Sequence, residues 1–299
     1  MKEKRLLSTT IAIDLHLHSN FSDGSMSPRK IVKMLHEQGI TMAMLTDHDT
    51  VDGTHEFLSH AARVGITALP SIEITTLQQG IGMHVLGYNI KHDLCNAKGF
   101  LKGNMEAHKK RLQGTLAAID SLGKFKVTEE EIRKWHNYPG PILSIAHIIE
   151  FMAHKKKKDF FEIKKLFKKG GMFYIALDEE LILSTCEATR IITEELGGVA
   201  VLAHPGKILK SVSKNDRLEQ NSWHFLYMLL DELKKHGLKA VEAFHPIHDL
   251  HQQTEFYRLA KHIGLASIGG SDFHGHYKRY QKLGMSGFDK VDFLELIRS

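Results

Sequence analysis

Histidines and acidic residues recur directly after short apolar runs of this chain. The segments are Asp14-Leu15-His16-Leu17-His18, Thr46-Asp47-His48-Asp49, Ala203-His204-Pro205 and Ser271-Asp272-Phe273-His274. Barrel and sheet enzymes place their chemistry at the C-terminal ends of strands, so we expect these side chains to converge. A multi-metal hydrolase needs such groups, because each divalent ion takes several N and O ligands and keeps positions open for water and substrate. The pattern predicts a metal-dependent phosphoesterase.

The spacing His16-x-His18 suits a shared ion. Alternate side chains of an extended segment point the same way, so both imidazoles can reach one metal. Two histidines at this spacing are a weak signal alone. Asp23 in the following loop, and the acid and histidine pairs at Asp47-His48 and Asp272-x-His274, make coincidence a poor explanation.

Glu73 is predicted to end the apolar strand 66–72. Burying a lone carboxylate there is costly unless it is paired or bound to a metal. We interpret Glu73 as a bridging carboxylate; an edge-strand acid that faces water is the alternative. Asp14 and Asp47 are predicted to orient neighbouring imidazoles rather than to bind ions themselves.

Seven short strand-like runs position these residues. They span 11–13, 42–45, 66–72, 84–86, 199–202, 240–244 and 265–268. Segments with helical periodicity lie between most of them, at 28–38, 54–64, 186–196, 223–236 and 250–263. Strands that alternate with helices run parallel and are joined by crossover helices. We therefore expect an α/β fold, a distorted seven-stranded (β/α)7 parallel barrel.

The alternation stops between residues 95 and 182. Helical periodicity continues there at 101–122, 128–135, 144–153 and 159–168. We expect a catalytic barrel of residues 1–94 and 183–299, with an inserted helical domain of residues 95–182. A lysine-rich run from Lys155 to Lys169 is the strongest charge bias of the chain. It predicts a solvated helix face or, alternatively, a guide for a phosphorylated or polymeric substrate.

Composition is compatible with this interpretation and excludes other classes. The chain has 299 residues, 42% hydrophobic and 25% charged, with a formal net charge of +5. Cys95 and Cys186 form no CxxC pattern, which indicates neither a thiolate metal site nor a disulfide framework. No apolar run reaches about 18 residues, so we expect a cytoplasmic protein without a membrane partner. No obligate protein partner is evident, and residues 289–299 are predicted to form a closing amphipathic helix.

These segments resemble the PHP (polymerase and histidinol phosphatase) superfamily of metal-dependent phosphoesterases. Four motifs occur in the family's order: HxH at His16 and His18, TDH at Asp47 and His48, AHP at His204, and SDxH at Asp272 and His274. The resemblance covers nearly the whole chain and implies a distorted seven-stranded barrel with two or three divalent ions. Manganese, iron, zinc and magnesium all suit mixed N and O ligands. The resemblance implies three ligand sets: His16, His18, Glu73 and Asp272; Glu73, His84 and His204; and Asp23, His48 and His274.

Within the superfamily, the chain resembles the branch that dephosphorylates nucleoside 3′,5′-bisphosphates and trims RNA from its 5′ end. The segments that carry this likeness are 22–24, 197–205, 241–248 and 270–275. One segment departs from the branch, because Ser144-Ile145-Ala146-His147 stands where the branch has an Arg-Pro-His-like sequence. The missing arginine removes a bidentate phosphate or base contact. The lysine run and Arg111 are candidates to replace it.

A water activated by the ions would attack phosphorus. Three histidines are candidates to bind phosphate or to protonate the leaving group, namely His245, His248 and His147, and a surface imidazole is the alternative for each. Seven others are expected to face solvent: His55, His60, His92, His108, His154, His236 and His262.

Three other functions stay open. A small-molecule phosphatase would act on histidinol phosphate or a sugar phosphate, and a degenerate module would bind metal without catalysis. An amidohydrolase would cleave C–N bonds but needs a strand-end lysine, and Lys207 in a loop is the nearest.

Overall fold

The computed structural model describes residues 13–91, 98–123, 126–141, 143–214, 221–278, 282–288 and 290–298. Seven strands occur within these residues, as the sequence predicts. They are β1 (Ile13–Leu17), β2 (Met42–Leu45), β3 (Ser71–Gln78), β4 (Ile81–Tyr88), β5 (Val199–Leu202), β6 (Leu238–Phe244) and β7 (Ala266–Gly269). β3 begins later than predicted, so Glu73 lies inside the strand rather than after its end.

The strands do not form the closed parallel barrel that the sequence predicts. In the described part of the chain they form two sheets, β1-β2 and β3-β4-β5-β6-β7. β4 runs antiparallel to both β3 and β5, whereas the other paired strands are parallel. The reason lies in the turn between β3 and β4. Gln79 and Gly80 both have positive φ, at 51° and 72°, which makes a two-residue hairpin that leaves no room for a crossover helix.

Isolated backbone bridges connect the two sheets on both sides of β1-β2. Leu17 bridges to Phe273, four residues beyond the end of β7, and His48 bridges to Glu73 of β3. Both bridges involve a motif segment. The site residues are therefore held by backbone contacts between the sheets as well as within each sheet.

Helices fill most connections between the strands. They are α1 (Pro28–Glu37), α2 (Thr54–Arg63), α3 (Lys102–Asp120), α4 (Glu129–His136), α5 (Ile145–Lys156), α6 (Phe160–Lys164), α7 (Thr185–Arg190), α8 (Pro205–Val212), α9 (Ser222–Lys235), α10 (Leu250–Ile263) and α11 (Lys290–Leu296). Local signals explain where several begin. Ser27 caps α1 with Pro28 in the first turn, and Thr128 forms a capping box with Glu131 at the start of α4.

Helices α3 to α6 bury an apolar cluster of their own, which includes Leu112, Ile132, Ile148 and Phe167. The predicted domain boundary at residues 94/95 lies outside the described residues, as do Cys95 and His92. Division into a barrel and an inserted domain therefore stays a prediction.

Helix α11 closes the other end of the fold, where Phe293 packs edge-on against Tyr88 of β4. The predicted terminal helix is thus present and lies on its own sheet. Among the described residues, no helix combines the length and apolarity required to cross a bilayer.

Candidate metal centre

The structure brings all nine predicted ligand residues into one cluster, in which Asp23, His48 and His84 are half-buried and the other six are buried. His16 and His18 come from the end of β1, His48 follows β2, Glu73 lies in β3 and His84 lies in β4. His204 follows β5, Asp272 and His274 follow β7, and Asp23 lies in the loop after β1. The hairpin positions Glu73 and His84, because Glu73 is opposite Leu86 and Thr75 is opposite His84. Glu73 and His84 are therefore diagonal neighbours on one face of the sheet.

The first group consists of His16, His18, Glu73 and Asp272. The Nε2 atoms of His16 and His18 each lie 3.0 Å from Glu73 Oε2. Asp272 Oδ1 lies 3.3 Å from His18 Nε2. These are the residues that the family resemblance implies for one ion.

A second group forms around the other side of Glu73. His84 Nδ1 and His204 Nε2 lie 2.9 and 3.0 Å from Glu73 Oε1. His48 also joins this group, since its Nδ1 atom is 3.4 Å from Glu73 Oε2. The family resemblance implies His48 for the third set only.

The third group contains Asp23, His48, His274 and also His18. His274 Nε2 is 3.1 Å from Asp23 Oδ1, and His48 Nε2 is 4.0 Å from the same oxygen. His48 therefore presents one ring nitrogen to Glu73 and the other to Asp23. The groups are contiguous rather than separate.

Attraction between the carboxylates and the neighbouring imidazoles and lysines keeps Glu73 and Asp272 ionised. Burial by itself would raise the pKa of Glu73, but attraction to the His16 imidazole outweighs burial and holds that pKa well below its usual range. Burial dominates at two imidazoles, where it lowers the pKa of His48 to about 3 and that of His274 to about 4. Burial would also lower the pKa of His18, but Asp272 and Glu73 outweigh it and raise that pKa to about 9, so a metal that binds His18 would displace a proton.

The donor atoms fit divalent ions. Several buried polar atoms of the cluster have no hydrogen-bond partner within the described structure, namely His18 Nδ1, His48 Nδ1 and His204 Nδ1. The Nε2 atoms of His16 and His18 lie only 3.1 Å apart. Two imidazole nitrogens at this distance, beside two carboxylates, form the convergent donor set of a metal site.

Glu242 supports this centre, although the sequence analysis assigned it no role. Its carboxylate accepts hydrogen bonds at 2.8 Å from His16 Nδ1 and from the His204 backbone N–H. It thereby fixes the ring orientation of one candidate ligand and the backbone of another. The signal was available, because Glu242 is a lone acid within an apolar strand, as Glu73 is.

Asp14 and Asp47 hold backbone and hydroxyl groups rather than imidazoles. Asp14 accepts from the N–H and hydroxyl of Ser271, and Asp47 does the same with Ser19. Both carboxylates fasten the loops that carry the motifs. The sequence prediction that they orient imidazole rings is not what the structure shows.

The backbone at the site is also unusual. Asp49, His204 and Asp272 have positive φ values of 51°, 29° and 53°. Non-glycine residues adopt this region only where surrounding contacts enforce it, and such positions concentrate at functional sites. Gly270 has a steric role here, because a Cβ atom at this position would lie 2.3 Å from His16 Cβ.

The three candidate histidines for phosphate or proton transfer differ in their surroundings. His248 donates from Nδ1 to the Ala243 carbonyl and accepts at Nε2 from the Gly206 N–H. His245 is buried against the centre, with Nε2 3.4 Å from Asp272 Oδ2. His147 lies on α5 with Nδ1 2.9 Å from the Ser144 hydroxyl, and burial lowers its pKa to about 3.

Two lysines stand beside Asp272. Lys278 Nζ and Lys207 Nζ lie 2.8 and 3.3 Å from Asp272 Oδ2. Burial would lower the pKa of Lys207, but Asp272 and Glu73 outweigh it and raise that pKa. Sequence reasoning noted Lys207 only in connection with an amidohydrolase and missed Lys278.

A cavity of about 380 Å³ lies between the metal centre and helices α3, α5 and α6. Asp23, His48 and His84 line it. Cationic residues also line it, namely Arg111, Lys164 and Lys168, together with His108. The expectation that His108 faces solvent is wrong, because α3 turns its half-buried side chain towards this cavity.

A further group of possible ligands lies apart from this centre, at Cys186, Glu232 and His236. The sequence analysis did not indicate it. Lys235 Nζ lies 3.2 Å from Glu232 at the protein surface, so an ammonium already neutralises the only carboxylate of the group.

Comparisons with known proteins agree with these observations. The family model of the PHP domain matches residues 14–124. The chain is 26% identical over 281 residues to a phosphoribosyl 1,2-cyclic phosphate 1,2-diphosphodiesterase of Eggerthella lenta, covering 91% of this chain and 97% of the relative. It is 26% identical over 264 residues to a 5′-3′ exoribonuclease of Haemophilus influenzae (87% and 89% covered). It is 27% identical over 265 residues to a 3′,5′-nucleoside bisphosphate phosphatase of Chromobacterium violaceum (88% and 87%).

The fold also has a solved counterpart from Bifidobacterium adolescentis. That structure superimposes with a TM-score of 0.80, at 23% identity, over 95% of this chain and 94% of the other. The arrangement of one two-stranded and one five-stranded sheet with helices therefore belongs to an established architecture.

Proposed function

We propose that this chain is a member of the PHP family and a metal-dependent hydrolase of phosphomonoesters on nucleotides. Its substrates would be a nucleoside 3′,5′-bisphosphate or the 5′-phosphorylated end of an RNA. One observation carries the proposal: Asp23, His48 and His84 of the candidate metal centre line the same cavity as a cationic wall formed by Arg111, Lys164 and Lys168. If one phosphoryl group binds at the metal centre, the second phosphate or the RNA backbone of the substrate would face that wall.

The nine predicted ligands would hold two or three divalent ions. His16, His18, Glu73 and Asp272 would hold one, and Glu73, His84 and His204 a second, with Glu73 as the bridge. Asp23, His48 and His274 would hold the third. Manganese, iron, zinc and magnesium are the candidate metals. Divalent ions at such a centre supply Lewis acidity and activate water for in-line attack at phosphorus.

The protein's own groups orient the reaction. Glu242 fixes the ring of His16, and Asp14 and Asp47 hold the loops that present the other motifs. Lys207 and Lys278 place positive charge beside Asp272, where phosphoryl oxygens would lie. His245, buried against Asp272, is suited to position that carboxylate.

His248 is better suited to positioning than to proton transfer, because both of its ring nitrogens already have partners. Its Nε2 atom holds the backbone directly after His204. His147 is buried beside Ser144 and is suited to hold the segment between α4 and α5 in place.

The cationic wall offers a replacement for the missing arginine of the branch. Arg111, Lys164 and Lys168 come from α3 and from the lysine-rich region, and they line the cavity itself. Lys155 to Lys158 are exposed at the end of α5 and beyond it, as expected for a solvated face. Only the later part of the lysine run is therefore in a position to contact a bound nucleotide.

Manganese-supplemented phosphate release from a substrate panel tests the proposal. The panel contains a nucleoside 3′,5′-bisphosphate, a 5′-phosphorylated RNA oligomer, histidinol phosphate, a nucleoside 5′-monophosphate and a phosphoribosyl cyclic phosphate. We expect preference for the bisphosphate or the RNA, with activity lost in Asp272→Ala. Turnover of histidinol phosphate or the cyclic substrate alone would refute the nucleotide assignment but keep the metal centre.

A variant pair tests the cationic wall. Lys164→Ala with Lys168→Ala should raise KM for the bisphosphate by about tenfold or more, because two charge-assisted contacts are lost. Lys156→Ala with Lys157→Ala removes the same charge from the exposed face and serves as the matched control. If both pairs raise KM equally, substrate binding depends on the overall positive charge of the protein and not on contacts with Lys164 and Lys168.

A further inference from the structure

Asp49 and His108 form a dyad that the proposed mechanism does not use. His108 Nε2 lies 2.8 Å from Asp49 Oδ2. Asp49 is buried, and its other oxygen accepts from the Thr75 N–H at 2.9 Å and from Asn104 Nδ2 at 2.8 Å. Three donors therefore converge on this buried carboxylate, and His108 Nε2 is one of them.

Hydrogen bonds of the dyad connect α3 to the metal centre. The Asp49 N–H donates to the Glu73 carbonyl at 2.9 Å, which ties Asp49 to the strand of the bridging carboxylate. Asn104 and His108 lie four residues apart on one face of α3, and Asn104 also donates to the Thr75 carbonyl. The left-handed backbone of Asp49 is held in place by these contacts.

His108 faces the substrate cavity, unlike the three histidines that the sequence suggested for proton transfer. It lines the cavity beside His48 and His84. Among the described residues that line this cavity, it is the one histidine outside the candidate ligand sets. Its Nε2 atom belongs to Asp49, so Nδ1 is the nitrogen left for a substrate.

We propose that His108 is a catalytic residue that donates a proton to the leaving oxygen of the phosphomonoester, with Asp49 as its positioning residue. This inference rests on the proposed phosphoesterase function. The imidazolium gives its Nδ1 proton to the oxygen of the breaking P–O bond, which takes the bonding electron pair and leaves as an alcohol. His108 remains as the neutral tautomer with its proton on Nε2, still donated to Asp49, and recovers the Nδ1 proton from water.

The test compares leaving groups. A nucleoside 3′,5′-bisphosphate expels a ribose alkoxide that needs a proton, whereas 4-nitrophenyl phosphate expels a stable phenolate that does not. In the manganese-loaded enzyme, His108→Gln should lower kcat on the bisphosphate about 100-fold, within the usual range for a general acid, and change kcat on the aryl ester less than about threefold.

Two further variants sharpen the comparison. Asp49→Asn keeps the shape but directs an amide N–H at Nε2, so the imidazolium is disfavoured and the same selective loss on the bisphosphate should appear. His224→Gln removes an exposed histidine of α9 and should leave both substrates unaffected. Circular dichroism and bound-metal content should match the wild type in all three.

Several outcomes would overturn the inference. Equal loss on both substrates in His108→Gln would assign His108 to binding or structure, and an unchanged kcat on the bisphosphate would exclude any role. If the wild type itself hydrolyses neither ester, the proposed phosphoesterase function fails independently of His108.

Discussion

Replacing Glu242 with glutamine isolates the contribution of a single buried oxygen. Glu242 accepts from His16 Nδ1 and from the His204 N–H, both at 2.8 Å. In Glu242→Gln the amide oxygen can satisfy the His204 N–H, which leaves the NH2 group facing His16 Nδ1. His16 must then accept at Nδ1 and carry its proton on Nε2, the atom that faces Glu73 and the candidate metal.

The magnitude follows from this change of tautomer. Loss of a carboxylate that orients a metal-binding imidazole typically costs 10- to 100-fold in metal affinity or activity, or about 1.4–2.8 kcal/mol. We therefore expect Glu242→Gln to weaken manganese binding by that factor and to lower kcat in parallel. The change is nearly isosteric, so the fold should persist.

Calorimetric titration of the metal-free protein with manganese measures the affinity, and phosphate release measures kcat. Glu37→Gln is the matched control, because Glu37 is exposed and lies 3.8 Å from Lys33 at the surface. If Glu242→Gln binds manganese and turns over substrate like Glu37→Gln, then the tautomer of His16 does not depend on Glu242 and the reasoning is refuted.

Three further predictions concern stability. Removing divalent ions with a chelator should abolish activity and lower the melting temperature, because ligands that bind only the folded state stabilise it. Adding manganese should restore both. An unchanged melting temperature would contradict a buried metal centre. Phe57→Ala should lower the free energy of unfolding in urea by about 3–5 kcal/mol, because Phe57 is fully buried. A loss below about 1 kcal/mol would show that the apolar side chains around Phe57 close the cavity. Burial would raise the pKa of Glu150, but hydrogen bonds from His276 and Tyr277 outweigh it and lower that pKa below its ordinary 4.5. This stabilisation is therefore present above about pH 4.5 and lost as the pH falls through the lower folded value, so Glu150→Gln should melt with less dependence on pH between about 5 and 3 than the wild type.

Much of the candidate site could be predicted from the sequence. The motif residues follow short apolar runs, and their side chains converge because strand ends meet at one edge of a sheet. The seven strands and most helices were predictable for the same local reasons, through periodicity and capping residues such as Ser27 and Thr128.

The sequence was less informative about the direction of the strands and about which side chains pair. It indicated parallel strands throughout, whereas the Gln79-Gly80 turn reverses β4 and makes His84 a diagonal neighbour of Glu73. A two-residue connection is a local signal, but its consequence for ligand placement appears only when both strands lie in the sheet.

Tertiary structure alone decided which polar groups pair across distant parts of the chain. Asp49 and His108 are 59 residues apart, and His16 and Glu242 are 226 apart. Each of these residues looks ordinary in the sequence, as a second acid after a motif or a histidine on a helix. Residue type and spacing determined that this protein would gather histidines and carboxylates, because periodicity is encoded locally. The fold decided which oxygen faces which nitrogen, because that depends on how α3 and β6 lie against the other strands.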